Sequence, residues 1–290
     1  MNWTALEFAN GRAFFYGLVL AVLCCAWLCA WPVTRMKSLR SIILVLGIIL
    51  VFLSATPIPW WSYAAWLALL ISTLSIANWR HSAKIKYLFF APFIAFSTAL
   101  FVHEASFHLR PAFSTYGPTD LYVVGDSLAG GADDPRNNWL ELLGAKLGLQ
   151  THNFSFGGAK VRSALHNAAR IDKSGALVVL EIGGNDLLAG TPVREFESDL
   201  KTILETVCKD NRHTIMIELP LIPVCNGYGA IQRKLAHQFD VPLVPKRYLA
   251  SVLGAKDATV DGLHLSDRGH GLLATELAGL FSTQPGRPES

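Results

Sequence analysis

Residues 13–33, AFFYGLVLAVLCCAWLCAWPV, run for twenty-one positions without a charge, and no other feature restricts the possible folds of this chain so severely. A helix rising about 1.5 Å per residue over that length crosses roughly 30 Å, the thickness of bilayer hydrocarbon. Two further uncharged runs, residues 41–58 and 60–77, meet at Pro57-Ile58-Pro59. Trp60, Trp61 and Tyr63 stand beside that turn, where interfacial aromatics gather, so the pair predicts a tight transmembrane hairpin. Residues 87–102 make a shorter run containing Pro92; a fourth span is expected there, with a re-entrant or interfacial segment as the alternative. The first part of the chain, residues 1–103, thus reads as an all-α transmembrane region.

Charge agrees with that division. Residues 1–110 hold eight Lys/Arg and two acids, and residues 111–290 hold seventeen and twenty. The excess of positive charge lies between apolar runs, as topology signals do, so no nucleic-acid partner is expected. Arg35, Lys37 and Arg40 follow the first run, Arg80, Lys84 and Lys86 precede the last, and the Pro57 turn is uncharged. Both basic loops should face the cytoplasm, and four spans then leave both termini outside. A cleaved signal peptide is not expected, because the apolar runs repeat and the first is too long. None of the runs contains Asp, Glu, Lys or Arg, which argues against an ion path. The helices then only tether the chain, or they offer an apolar groove that delivers a lipid substrate.

Cys24, Cys25 and Cys29 lie inside the first run, leaving only Cys208 and Cys225 outside it, so no disulfide framework is expected. No Cys/His spacing suits a metal.

Residues 104–119 carry Pro111, Gly117 and Pro118 and read as a linker before a domain at 120–290. Short apolar runs with β-branched residues at 121–124, 176–182, 214–219 and 241–244, with a fifth short strand around 153–156, alternate with helical spacing at 138–147, 194–209, 230–239 and 267–281. Nearly continuous apolar strands separated by helices predict a parallel sheet covered on both faces. Functional groups of such sheets collect outside the carboxyl ends of the strands.

The candidate chemistry falls there. Gly125-Asp126-Ser127-Leu128 follows the first strand, and a serine on a strand-to-helix turn is a nucleophile when a base can take its proton. Gly158 can bring a backbone N–H close to a developing oxyanion, and Asn185 of Gly183-Gly184-Asn185-Asp186 can add a side-chain N–H. Asp261-Gly262-Leu263-His264 supplies a base and its orienting carboxylate. Each alone is ordinary turn chemistry. A second Asp-x-x-His pair, Asp267 and His270, has the same spacing, but Ser266 is a good N-cap, which puts both residues in the first turns of a helix.

Taken in order, GDSL at 125–128, N-x-S-x-x-G from Asn153 to Gly158, GGND at 183–186 and DGLH at 261–264 resemble the SGNH (GDSL) hydrolase family. Residues 120–282 look most similar to its bacterial periplasmic thioesterase/lysophospholipase and arylesterase branch, on the stretches LEIGGND, IELP and FDVPLVP as well. The resemblance implies a flavodoxin-like three-layer α/β/α domain with no metal or organic cofactor. It implies Ser127 as nucleophile, His264 as general base and acid, Asp261 as its partner, and an oxyanion hole made by Ser127, Gly158 and Asn185. The expected protein is a serine esterase or thioesterase in the bacterial inner membrane, its catalytic domain periplasmic, cleaving small-molecule or lipid acyl esters. An O-acyltransferase or O-deacetylase acting on a cell-envelope glycan is the alternative, since the same triad serves both. Residues 129–135 depart from the family pattern and leave the acyl pocket unspecified.

Overall fold

The computed structural model describes residues 3–30, 37–78, 82–114, 117–130, 135–222 and 225–282. They form two compact units, one made of residues 7–109 with 221–226 and the other of the remainder.

The first unit is helical: it takes up the chain at Glu7, within the short helix Trp3–Ala9, and continues through Arg12–Ala30, Lys37–Leu53, Trp60–Asn78 and Ala83–Ser106. Phe14, Leu18, Ala21, Cys25, Trp66, Leu70 and Phe93 form its interior. Leu23, Ile42 and Leu88 are at least 60% exposed, so these helices are apolar outside as well as inside, as lipid-facing helices are. The first two long helices approach closely. A Cβ on Gly17 would lie 2.6 Å from the Gly47 carbonyl oxygen. Polar groups buried here include Trp66 Nε1, which donates to Ser97 Oγ at 3.1 Å, and Thr73 Oγ1, which donates to the Leu69 carbonyl at 2.8 Å.

Among the described residues, three helices are long and apolar enough to cross a membrane: Arg12–Ala30, Trp60–Ala77 and Ala83–Ser106. The expected weak fourth span is therefore a 24-residue helix that runs through Pro92, an interruption that membrane helices tolerate where neighbouring groups satisfy the freed carbonyl. The short helix is the second, Lys37–Leu53, with 17 residues. It stops before 58 because residues preceding proline disfavour the helical region, and Pro57 and Pro59 follow. Ser54, Ala55, Thr56 and Ile58 are buried, and Ser54 Oγ accepts the Phe14 N–H at 3.1 Å. Residues 31–33 of the first expected span, and the basic residues Arg35 and Arg80, lie outside the described residues.

The second unit is built on five strands: β1 (Asp120–Gly125), β2 (Gln150–Asn153), β3 (Leu177–Glu181), β4 (His213–Ile217) and β5 (Leu243–Val244). All pair in parallel, in the order β2-β1-β3-β4-β5, with Leu121 opposite Leu177 and Gly125 opposite Glu181. This is the flavodoxin-like order, whose crevice opens at the carboxyl ends of β1 and β3, where the chain reverses its direction of progress across the sheet. One face of the sheet, with Leu121, Val123, Leu177, Val179, Ile215 and Ile217, packs on helices Trp139–Leu147, Lys246–Gly254 and Asp267–Ala278. The residues between them, Tyr122, Val124, Val178, Leu180 and Met216, are equally buried on the other face. Helices Val161–Ala168, Val193–Val207 and Asn226–Gln238 complete the three layers.

Strand β2 lies three residues before the position expected for it. Its sequence, Gln-Thr-His-Asn, has no apolar alternation because it is an edge strand paired only with β1. Polar contacts hold it instead: His152 Nε2 meets Asp120 Oδ1 at 2.8 Å and its ring stacks on Tyr122 at 4.3 Å. Within the stretch read as a linker, the last long helix extends to Ser106, and Phe113–Ser114 pairs with Phe281–Ser282.

Candidate active site

Strand β1 delivers Gly125 to the top of the sheet, and a four-residue helix, Ser127–Gly130, begins at once. Asp126 makes that turn. Its N–H donates to the Glu181 carbonyl at 3.2 Å, its own carbonyl accepts from Gly130 at 2.9 Å, and its Oδ1 accepts the Leu128 N–H at 3.0 Å. The far side of the turn is fixed by helix Trp139–Leu147 and strand β2. Trp139 Nε1 donates to the Leu128 carbonyl at 3.0 Å, while Asn138 Nδ2 and Asn153 Nδ2 both donate to the Ala129 carbonyl. Ser127 therefore sits half-buried on a turn whose backbone is held from three elements.

The loop after β2 presents Gly158 at φ +73°, exposed and with open space where a Cβ would be. Its neighbour Ala159 turns back to the Phe156 carbonyl at 3.3 Å. After β3, Gly183 takes φ +112° and caps the short helix Gly184–Leu188, on which Asn185 stands. Asn185 Nδ2 donates to Asp126 Oδ2 at 3.2 Å and to the Ala159 carbonyl at 3.1 Å. Both partners are pure acceptors, which fixes the orientation of the amide. Asn185 thus ties together the turn after β1 and the loops after β2 and β3.

Asp261 and His264 meet in a tight loop before the last helix. Val260 donates its N–H to the His264 carbonyl at 2.9 Å, and Gly262 at φ +90° makes the reversal. Asp261 Oδ1 accepts the N–H groups of Leu263 and His264 at 2.9 and 2.8 Å, and Oδ2 lies 2.6 Å from His264 Nδ1. The His264 backbone N–H, the imidazole and the Leu263 N–H hold the Asp261 carboxyl well below the usual carboxylate range. A carboxylate that only accepts requires the proton on Nδ1, which leaves Nε2 free to take one.

Among the described residues no hydrogen bond joins Ser127 Oγ to His264. Burial pushes the Asp126 carboxyl up, and the Leu128 N–H and the charge of His264 pull it back down. Contacts between nucleophile and base are often long in unliganded enzymes.

The second Asp-x-x-His pair is separated by the fold. His270 is 1% exposed and its Nδ1 accepts the first N–H of helix Trp139–Leu147, from Trp139, at 3.3 Å. Asp267 Oδ2 accepts from Asn137 Nδ2 at 3.2 Å, and Ser266 is the N-cap, accepting from Gly269 at 3.2 Å. Asp186, the last residue of GGND, is also structural. Buried to 1% exposure, it accepts the Val161 N–H at 2.9 Å and so caps helix Val161–Ala168 from another loop. Sequence reasoning assigned no function to Asp126, Asn138 or Asn153. For Asn138 a signal existed, an Asn immediately before a helical period; the other two act through residues distant in sequence. Of residues 129–135, the stretch that departs from the family pattern, 131–134 lie outside the described residues.

A parallel α/β sheet with Gly-Asp-Ser on its first turn and an Asp-His pair before its last helix defines a class, and the comparisons agree with it. The sequence pattern of the GDSL-like Lipase/Acylhydrolase family matches residues 123–272, and the chain belongs to that family of ester-cleaving hydrolases. Among its relatives is the thioesterase 1/protease 1/lysophospholipase L1 of Escherichia coli (strain K12), 31% identical over 155 residues, which are 50% of this chain and 74% of that protein. Esterase TesA of Pseudomonas aeruginosa is 25% identical over 158 residues, covering 50% of this chain and 78% of its own. Similar solved structures include a crystal structure of TesA (25% identity, TM-score 0.49, 56% of this chain and 97% of that one). The psychrotrophic esterase EstA from Pseudoalteromonas sp. is another (21%, 0.49, 55% and 94%).

Proposed function

We propose that this chain is a membrane-anchored esterase or thioesterase that hydrolyses acyl esters on the extracytoplasmic face through an acyl-serine intermediate. The observation that carries the reading is the 2.6 Å pair of Asp261 Oδ2 and His264 Nδ1, which puts the imidazole proton on Nδ1 and leaves Nε2 unprotonated for the role of base. In this reading His264 Nε2 takes the Ser127 hydroxyl proton as Oγ attacks the acyl carbonyl. The resulting oxyanion is met by the N–H groups of Ser127 and Gly158 and by Asn185 Nδ2. Collapse of the tetrahedral adduct expels the alcohol or thiol, protonated by His264. Water, deprotonated by the same imidazole, then releases the acid and restores Ser127.

The nature of the substrate follows from the rim. Within the α/β unit, the exposed large apolar side chains among the described residues are Phe156, Leu188, Val193, Val260 and Leu263. Phe156 stands in the loop after β2, Leu188 ends the short helix after β3, Val193 begins the next helix, and Val260 and Leu263 flank the Asp-His pair. An apolar rim there suits an acyl chain.

The N-terminus supports four crossings. Leu6 belongs to the α/β unit, where a Cβ on Gly254 would lie 3.0 Å from its Cδ2. A segment packed on that unit must be on the same side of the membrane, so the number of crossings between residues 6 and 110 is even. Lys37–Leu53 is then a span despite its length and the Lys37 and Arg40 at its start, since the uncharged residues 41–58 reach the lower limit for one.

The test is chemical. Ser127→Ala should abolish ester hydrolysis and labelling by a fluorophosphonate in the full chain, with the circular dichroism spectrum unchanged. Persistent labelling at another residue, such as Ser155, would remove Ser127 from the mechanism. Product analysis with and without a sugar acceptor separates hydrolysis from acyl transfer to a glycan.

A further inference from the structure

Asp126 is not one of the residues to which the proposed mechanism gives a role, yet it is the point at which the site is joined. It is 3% exposed, and its two carboxylate oxygens face different loops: Oδ1 holds the Leu128 N–H at 3.0 Å and Oδ2 holds Asn185 Nδ2 at 3.2 Å. Leu128 immediately follows Ser127, so one rigid carboxylate fixes the spacing between the Ser127 N–H and the Asn185 amide. Gly184 makes room for this. A Cβ at that position would lie 3.2 Å from Asp126 Oδ2, closer than side chains ordinarily approach.

The resting amide also has both hydrogens engaged, one on Asp126 and the other on the Ala159 carbonyl at 3.1 Å. Donation to a new oxyanion requires one of these bonds to be given up or shared. Released from both, the side chain would rotate about its two torsions and lose the preorganisation on which oxyanion stabilisation depends.

We propose that Asp126 is a positioning residue for the oxyanion hole: its carboxylate tethers one N–H of Asn185 throughout the reaction, so that the other turns from the Ala159 carbonyl to the oxyanion. Burial, with Asp186 nearby, raises the pKa of this carboxyl, and the Leu128 N–H and the charge of His264 offset only part of that rise. No bond to substrate is made, and Asp126 acts wholly through Asn185 and the turn carrying Ser127. The inference rests on the reading of Asn185 as an oxyanion donor.

The experiment is a double-mutant cycle on the full chain in detergent, with p-nitrophenyl butyrate as substrate. Asn185→Ala should lower kcat about 10²–10³-fold with KM little changed. Asp126→Asn places an amide hydrogen where a donor must be accepted and should lower kcat about 10–10²-fold, with KM within about threefold. In the Asn185→Ala background, Asp126→Asn should cost less than about threefold more, because the group it positions is already gone. Gly184→Ala keeps both side chains and crowds only their contact, and its loss of kcat should likewise vanish in the Asn185→Ala background. It stands in for Asp126→Asn if that variant does not fold. Losses that multiply in both cycles, or a normal kcat for Asp126→Asn, would overturn the inference. A normal kcat for Asn185→Ala would instead overturn the oxyanion reading itself.

Discussion

His264 and His270 have the same sequence environment, an Asp three residues earlier, and opposite physical situations. His264 is exposed in a loop with its carboxylate at 2.6 Å, whereas His270 is buried and caps a neighbouring helix through Trp139. His264→Ala and Asp261→Asn should each lower kcat by several orders of magnitude at unchanged stability. His270→Ala should leave kcat nearly intact and cost about 1–3 kcal/mol, the penalty for an unpartnered buried N–H. A folded, inactive His270→Ala beside an active His264→Ala would reverse the assignment. The two situations also predict opposite pH effects in the core. Burial lowers the pKa of His270, so as pH falls through about 6.5 the unfolded chain binds a proton that the folded one refuses, and stability is lost on acidification. Burial, reinforced by the neighbouring Asp126, raises Glu181 well above its ordinary value, so that above about pH 4.5 the folded chain holds a proton that the unfolded one releases. That contribution falls as pH rises. Thermal melts of Glu181→Gln against the parent should therefore show a gain in Tm that grows from pH 4 to pH 8.

At the scale of elements, helices Arg12–Ala30 and Lys37–Leu53 come together at two glycines, and a side chain on Gly17 would be 2.6 Å from the Gly47 carbonyl oxygen and 2.8 Å from the Val51 amide nitrogen. Backbone on both sides leaves nothing flexible to give way. Gly17→Ala should destabilise the helical unit by about 1–3 kcal/mol, seen as a lower melting temperature in detergent, while hydrolysis of a soluble short-chain ester persists at temperatures below the transition. Most helices and strands were legible from their apolar periods, and the failures share a cause. Strand β2 is polar because only one of its edges is paired and its side chains bond to Asp120 and Tyr122's ring rather than fill a core. Helix Val161–Ala168 is only eight residues long, and Asp186, from another loop, caps its start. Such elements exist through contacts with others, and the strand carries no apolar period of its own.

For the whole molecule, the proposed anchoring assigns each part to one side of a membrane, and that assignment is testable. A cysteine placed at Ser82 in intact cells should resist an impermeant thiol reagent, whereas one at Ala112 should react, with the native cysteines controlled for. The packing of Leu6 on the α/β unit adds a third position: a cysteine at Ala5 should react as Ala112→Cys does. Protection of Ala5→Cys together with reaction at Ala112→Cys would mean an odd number of crossings, and Lys37–Leu53 would then lie outside the bilayer core.

The sequence by itself determined the division into an apolar, positively looped first part and an α/β second part, because hydrophobic length and period report the burial of whole faces. The order of four short motifs along the chain also determined the family and put forward Ser127, Gly158, Asn185, Asp261 and His264 as its candidate site. Tertiary structure alone decided what each carboxylate does: Asp126 binding Asn185 across 59 residues, Asp186 capping a helix 25 residues earlier, Asp267 held by Asn137 rather than by a histidine. A single hydrogen bond between distant residues changes neither composition nor periodicity. It exists only once parallel strands have brought their carboxyl ends to one edge, so that three loops remote in the chain share the same few ångströms.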